Sequence, residues 1–291
     1  TTVEQKPAPP HRSGDIVEPG TTAFVGGVGD WPFGAFAMDY QRDGVHARKA
    51  WFAFDGMIVA LGAGIRAPDA GHPVVTTINQ EWLLDAPQIA DRSGVRTAGE
   101  VESGLDEVRW VWHRGMVYTP LADGQRWSIE AREHRGSWRT INDRGNDQPL
   151  SGKVFTAYVD HGARPSDASA AEALATEPGV RVVHNDADRQ VVRHAGGVVA
   201  AVLWEAGEVA VTDTITATLG SPAIALFIPG KDELRVLIAD PTQKLESIEL
   251  RLTGEWLLRG AESAGRGATF RLKLPQGDLG GSALSVRLAR D

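Results

Sequence analysis

The sequence predicts an all-β protein with a large first unit and a smaller final one, both of the antiparallel sandwich type. Three observations lead to this prediction. Short apolar or alternating runs recur along the chain from Phe24 onward. Turn-forming residues separate these runs, and 33 glycines and 16 prolines are spread over the 291 residues. Only one short segment has a helix-forming composition, so strands are expected to build the core.

The strands predicted in the first unit share a short length, many β-branched or aromatic residues and bounding turns. They cover residues 35–40, 50–54, 57–61, 74–79, 108–113, 115–119, 127–132 and 153–159. Before them, residues 1–20 are polar and rich in proline, which predicts an extended leader. The best helical candidate covers residues 166–176, where alanine and glutamate are dense.

Alternation is clearest in the last part of the chain. Ile248, Leu250 and Leu252 lie on one side of a predicted strand, with Glu249 and Arg251 on the other. One buried face and one hydrated face are typical of an antiparallel sandwich. A change of composition near residues 213–222 predicts a domain boundary. The expected organisation is a leader at 1–20, a large domain at 21–213 and a final domain at 214–291.

Charge and composition exclude several classes of protein. A formal net charge of -8 disfavours a nucleic acid partner, because phosphate backbones require clustered Lys and Arg. No apolar run reaches the roughly 18 residues that span a membrane, so we predict no membrane partner. The chain contains no cysteine, which excludes disulfides and thiolate metal sites. Its arginines could still bind carboxylate or sulfate groups through paired hydrogen bonds.

Two local patterns suggest chemistry. Residues 62–67 match the dinucleotide fingerprint Gly-x-Gly-x-x-Ala, but the prolines and glycine that follow leave no room for the helix that such a site needs. The eight histidines lack compact zinc-ligand spacing, and we predict no metal ion and no cofactor. Tyr158, Asp160 and His161 could form a small acid–base group, although a hydrogen-bonded turn is the favoured interpretation.

Nine tryptophans are many for this length, and an indole ring serves both sandwich cores and sugar-binding sites. Trp110 and Trp112 alternate on one strand, so we expect them in the core. Trp31 and Trp138 lie in turn-like segments, where an exposed ring could stack on a sugar.

Many short segments, in order, resemble polysaccharide lyase family 8, which includes hyaluronate, chondroitin AC and xanthan lyases. In the first unit they are PGTT at 19–22, FVGGV at 24–28, GAFAMD at 34–39, ARKAWFAFD at 47–55, IVALGAGI at 58–65 and VTTINQ at 75–80. Further on they are RGSW at 135–138, DHG at 160–162, SPA at 221–223 and ADPTQ at 239–243.

The resemblance implies a large antiparallel supersandwich followed by a smaller C-terminal β-sandwich, in a secreted or extracellular protein. It also implies a lyase that cleaves acidic, uronate-containing polysaccharides by β-elimination. In such enzymes a helical toroid domain supplies an Asn that neutralises the uronate carboxylate, and a His and a Tyr that move the protons. We expect this chain to lack such a toroid, and we therefore predict that it is inactive alone and carries no catalytic residue. If the chain did carry a catalytic residue, the weakly favoured candidates would be Tyr158 and His161.

We expect the substrate contacts to come from loops, because the cleft in the resembling enzymes lies between the toroid and the supersandwich. The predicted binding residues are Trp31, Arg135, Trp138 and Asn142. Arg135 could bind a carboxylate while Trp31 or Trp138 stacks on a ring. The alternative function is a stand-alone carbohydrate-binding or structural β-module without catalysis.

Overall fold

The structure, a computed structural model, describes residues 20–141, 144–175, 179–259 and 265–290. These residues form 23 strands, a single turn of α-helix named α1 (Trp138–Ile141) and a 3₁₀ turn at Gly277–Leu279. The all-β prediction is confirmed. In the described residues no helix is long and apolar enough to cross a membrane.

The chain divides into two compact units. Among the described residues, the first unit contains 20–21, 41–47, 65–141 and 144–175. Its strands are β5 (Pro73–Trp82), β6 (Gln88–Asp91), β7 (Gly94–Thr97), β8 (Val101–Leu105), β9 (Trp110–His113), β10 (Met116–Pro120), β11 (Trp127–Gly136), β12 (Leu150–Ala163) and β13 (Ala168–Leu174).

Two antiparallel sheets make up this first unit. One sheet has the order β5-β12-β11-β8, and the other follows the path β13-β10-β9-β6-β7. Alternate residues of their strands face each other in a core that contains Trp127, Phe155 and Tyr118, all of them buried. The remaining face of the β5-β12-β11-β8 sheet carries mostly polar residues, and one end of this sheet forms the cleft discussed below.

Among the described residues, the second unit contains 22–40, 48–64, 179–259 and 265–290. Its strands are β1 (Val25–Asp30), β2 (Phe33–Arg42), β3 (Val45–Phe54), β4 (Met57–Arg66), β14 (Val180–Asn185), β15 (Arg189–His194), β16 (Val199–Leu203), β17 (Gly207–Ala210), β18 (Thr216–Leu219), β19 (Ala223–Pro229), β20 (Glu233–Ala239), β21 (Ser247–Arg259), β22 (Gly265–Lys273) and β23 (Leu284–Arg290); the first residues of β3 and the last residues of β2 and β4 lie in the first unit.

A ten-stranded sheet dominates the second unit. Its order is β14-β15-β16-β19-β20-β23-β21-β18-β17, and β22 pairs with β21. Its strands contribute to a large apolar core that includes Phe227 and Leu288. The predicted alternation of β21 is confirmed, because Ile248, Leu250 and Leu252 are buried in this core.

Two sequence-based expectations about elements are wrong. Residues 168–174 form strand β13 rather than the predicted helix, because they pair with β10 and Ala170, Ala171 and Ala173 are buried there. Burial between sheets overrides the helical preference of alanine. Trp110 and Trp112 are only half-buried, whereas Val111 and His113 between and after them are fully buried. The strand therefore turns its other face to the core.

Residues 62–66 form the last part of strand β4, and a turn rather than a helix follows them, as expected for a false dinucleotide motif. The predicted domain limits, 21–213 and 214–291, remain a prediction. The proposed leader lies almost wholly outside the described residues.

Candidate functional site

A cleft in the first unit combines an exposed indole with charged and polar side chains. It has a volume of about 600 Å³ and is lined by Gln80, Glu81, Trp82, Arg114, His134 and Val154. These residues come from β5, the hairpin between β9 and β10, β11 and β12. Trp82, His134 and Val154 lie on adjacent strands of one sheet, and strand pairing fixes the spacing between them.

Trp82 is the last residue of β5 and 63% of its surface is exposed. It pairs with Val154 of β12, and Gly152 on the same strand pairs with His134 of β11. The edge of the indole's six-membered ring abuts Gly152, because a Cβ added there would clash with Cζ3 and lie 3.1–3.3 Å from the two ring atoms beside it. The absence of a side chain at Gly152 thus leaves room for this edge of the ring, and most of the residue stays open to solvent.

Arg114 is held by the turn of a tight hairpin. His113 pairs with Met116, so Arg114 and Gly115 are the two turn residues, with φ angles of 50° and 77°. Positive φ at both positions is the geometry of the type I′ turn, which suits the twist of a hairpin. The side chain of Arg114 is 44% exposed.

Glu81 connects this arginine to the interior of the unit. Its Oε2 lies 3.2 Å from Nη1 of Arg114, and its Oε1 lies 2.8 Å from Nδ1 of His113. The amide of Asn79 donates to Oε1 of Glu81 at 3.0 Å and to the hydroxyl of Tyr118 at 2.5 Å. The carboxylate therefore accepts hydrogen bonds on both oxygens, which fixes its orientation.

His113 is fully buried and its ring stacks on Phe155 with the ring centres 4.3 Å apart. Because Nδ1 faces a carboxylate, this nitrogen carries the proton. The Nε2 atom of His113 is buried without a hydrogen-bond partner among the described residues. The ring therefore anchors Glu81, and its other nitrogen does not reach the cleft.

Tyr118 is a neutral phenol in this arrangement. Burial raises the pKa of its hydroxyl, although the hydrogen bond from Asn79 acts in the opposite direction. A phenol with a raised pKa is a poor general base at neutral pH. The cleft therefore presents an exposed indole and an arginine, together with the ionisable side chains of Glu81 and His134.

Two of the predicted binding residues lie at the same end of the first unit without lining the cleft. Arg135 follows His134 on β11 and so points to the opposite face of that strand. It is 82% exposed and pairs with Glu133 at 2.9 Å. Trp138, 55% exposed, begins α1.

The other two predicted binding residues lie elsewhere. Trp31 belongs to the second unit, is 93% exposed and precedes a cis peptide bond to Pro32. Asn142 is outside the described residues. The prediction that these four residues bind sugar stays a prediction.

The acid–base group suggested by Tyr158, Asp160 and His161 is not assembled. Asp160 accepts the backbone N–H of Gly162 at 2.8 Å, and His161 Nε2 lies 2.8 Å from the hydroxyl of Thr76. Tyr158 donates to Glu130 at 3.3 Å, and burial raises the pKa of its hydroxyl. The three side chains have separate partners, as the turn interpretation expects.

Sequence reasoning missed Trp82 and Arg114. A signal for Arg114 was present, since an Arg-Gly pair separates two apolar runs, as a two-residue hairpin turn would. Nothing in the local sequence distinguishes Trp82 from the other eight tryptophans. Its position depends on pairing with a strand about seventy residues away, as the register of Trp82 with Val154 shows.

Stacked antiparallel sheets define a β-sandwich protein. The family models give the particular class. The super-sandwich domain of polysaccharide lyase family 8 matches residues 1–183, and the C-terminal beta-sandwich domain of the same family matches residues 181–249. The chain belongs to polysaccharide lyase family 8.

The chain is similar to several curated lyases. It is 30% identical to chondroitinase-AC of Pedobacter heparinus over 288 residues, which cover 93% of this chain and 39% of that enzyme. It is 29% identical to a hyaluronate lyase of Thermasporomyces composti, covering 84% of this chain and 33% of the relative. A xanthan lyase of Bacillus sp. strain GL1 is 30% identical over 72% of this chain and 25% of its own length.

A solved structure agrees with these matches. Chondroitinase AC lyase, studied in complexes with oligosaccharides, superposes with a TM-score of 0.79 and 27% identity. The superposition covers 92% of this chain and 40% of that one. The chain thus spans well under half the length of the relatives it matches.

Proposed function

We propose that this chain is the β-sandwich portion of a lyase that cleaves uronate-containing polysaccharides by β-elimination. In this proposal the proton-transferring residues belong to a helical toroid domain, and the β-sandwich portion forms one wall of the substrate cleft. The observation that carries the proposal is the family 8 match, which extends over most of the chain. The names of the relatives, which include chondroitin, hyaluronate and xanthan lyases, support an acidic substrate.

The arrangement of ionisable groups in the first unit agrees with a supporting role. Abstraction of the proton next to a uronate carboxylate needs a base at the substrate and a neutralising partner for the carboxylate. Both tyrosines of this unit have raised pKa values and donate to or accept from protein groups. His113 is buried and His161 is bonded to Thr76.

A specific observation also favours the second candidate function, a carbohydrate-binding module that works without catalysis. The cleft at Trp82 is built from residues of the first unit alone, so sugar binding there needs no other domain. The two functions differ in whether a helical toroid domain acts together with this chain, and neither expects turnover by this chain alone.

The test is to incubate the purified chain with hyaluronan, chondroitin and xanthan and to follow the ultraviolet absorbance of the unsaturated uronate product. A curated relative such as chondroitinase-AC serves as the positive control. We expect no product from this chain. Clear turnover would contradict the proposal and direct the search for a base to Tyr118, Tyr158, His113 and His161.

A further inference from the structure

We infer that the cleft at Trp82 is a subsite for one acidic sugar unit, with the indole under the sugar ring and Arg114 on the carboxylate. The inference rests on the proposed function, since that function supplies the class of substrate, and it assigns residues that the sequence did not indicate. Three properties of the cleft carry it: a fixed aromatic face, an oriented cation and neighbouring polar groups.

The aromatic face is exposed and already in place. One edge of the Trp82 indole abuts Gly152, and 63% of the residue remains accessible. A flat ring suits the C–H face of a pyranose, and an aromatic side chain contributes a large contact area. Because the ring is packed against the sheet before a ligand arrives, little side-chain freedom is lost on binding.

Arg114 keeps donors for a ligand although it contacts Glu81. The guanidinium group has five N–H donors, and the contact to Glu81 at 3.2 Å involves Nη1. Glu81 at the same time accepts hydrogen bonds from His113 and Asn79, so its charge is shared among three donors. The remaining donors of the fork can bind a planar carboxylate in the paired geometry that arginine favours.

Glu81 acts as the positioning residue for this arginine. The carboxylate is fixed from the inside by buried His113, and the type I′ turn fixes the backbone of Arg114. Gln80 and His134 line the same cleft and can hydrogen-bond to sugar hydroxyls. A ligand without a negative charge would leave the arginine fork unused, so the cleft should prefer uronates over neutral sugars.

The experiment is calorimetric titration of the full chain with two probes, a hyaluronan hexasaccharide and the same hexasaccharide with its carboxyl groups reduced to alcohols. The variants are Trp82→Leu, which keeps an apolar group beside Gly152, and Arg114→Asn, which suits the positive φ of the turn. The control is Arg92→Asn, because Arg92 is 80% exposed and paired with Glu107 at 2.9 Å.

Wild type should bind the acidic probe more tightly than the reduced one. Arg114→Asn should weaken binding of the acidic probe about tenfold and remove the preference, since a charge-assisted pair of hydrogen bonds is lost. Trp82→Leu should weaken both probes by similar factors. Arg92→Asn should bind like wild type, and Arg114→Lys, which keeps the charge and loses the fork, should fall between wild type and Arg114→Asn.

Several results would overturn the inference. One is that wild type binds neither probe at millimolar concentration. Another is that Arg114→Asn and Arg92→Asn lose affinity equally. A third is that Arg114→Asn keeps the wild-type preference for the acidic probe over the reduced one. A loss of affinity in Trp138→Ala and Arg135→Asn but not in Trp82→Leu would place the site at the residues predicted from sequence instead. Binding is measured without turnover, so a missing lyase activity leaves this inference standing, and a missing subsite leaves the lyase assignment standing.

Discussion

His161 provides a test of how well the structure accounts for stability in the first unit. The partly buried imidazole lies 2.8 Å from the hydroxyl of Thr76. Burial lowers its pKa from 6.5 to about 4, even though the carboxylate of Asp160 acts in the opposite direction. At neutral pH the folded protein therefore holds a neutral ring that resists protonation.

The sign of the pH effect follows from this shift. Below pH 6.5 the unfolded chain binds a proton at His161 while the folded chain does not, so the unfolded state gains stability as the pH falls. Between about pH 7.5 and about pH 5 the loss of folding free energy from this one group amounts to about 2 kcal/mol. The effect levels off below a pH of about 4, where both states are protonated.

The perturbation is His161→Gln, which keeps a hydrogen-bonding group near Thr76 and does not titrate. The free energy of unfolding of both proteins is measured by urea titration across this pH range. All other titrating groups cancel in the difference between wild type and variant. We expect wild type to lose about 2 kcal/mol more than the variant on acidification. Parallel pH curves for the two proteins would refute the reasoning.

Two further predictions concern particular contacts. Gly152→Ala should displace the Trp82 indole and weaken binding of the hyaluronan hexasaccharide about tenfold in calorimetry. The control is Gly136→Ala on the paired strand β11, which should bind like wild type because the space around its Cα is open. Equal affinities of the two variants would contradict the geometry of the cleft. Asp240→Asn should cost about 1.5–3 kcal/mol in urea unfolding, because the carboxylate accepts hydrogen bonds from Thr242, Lys244 and Leu245. The control is Asp123→Asn at an exposed position. A loss of unfolding free energy no larger than in this control would argue against a stabilising role for the hydrogen bonds that Asp240 accepts.

The Asp240 contribution should also depend on pH. Burial alone would raise the pKa of this carboxyl, but the hydrogen bonds from Thr242, Leu245 and Lys244 lower it below 3.8. The stabilisation from these hydrogen bonds is therefore fully present above the ordinary pKa of 3.8 and is lost as the pH falls through the lowered pKa of Asp240.

The β-rich fold could be predicted because its signal is local. Alternation of Ile248, Leu250 and Leu252 with charged residues is visible in five consecutive positions, and those three side chains are buried in the structure. The segment at 166–176 misled because alanine favours helices in isolation, whereas burial of Ala170, Ala171 and Ala173 next to β10 decides its conformation.

The cleft could not be predicted, because its parts come together through pairing between distant strands. Gly152 can lie next to Trp82 only because β5 pairs with β12, and no local pattern encodes that register. On β11, Arg135 follows His134 directly and the two side chains leave opposite faces of the strand. Of these two residues, only His134 lines the cleft.

The central claim is that this β-sandwich portion binds acidic polysaccharide while another domain moves the protons. The most direct measurement is steady-state elimination by the native lyase purified from its producing cell, comparing wild type with Tyr158→Phe, His161→Gln and Arg114→Asn. The account predicts kcat close to wild type in all three variants, with a raised KM in Arg114→Asn alone. A fall of kcat by about a hundredfold or more in the Tyr158 or His161 variant, as expected on loss of a general acid or base, would contradict it.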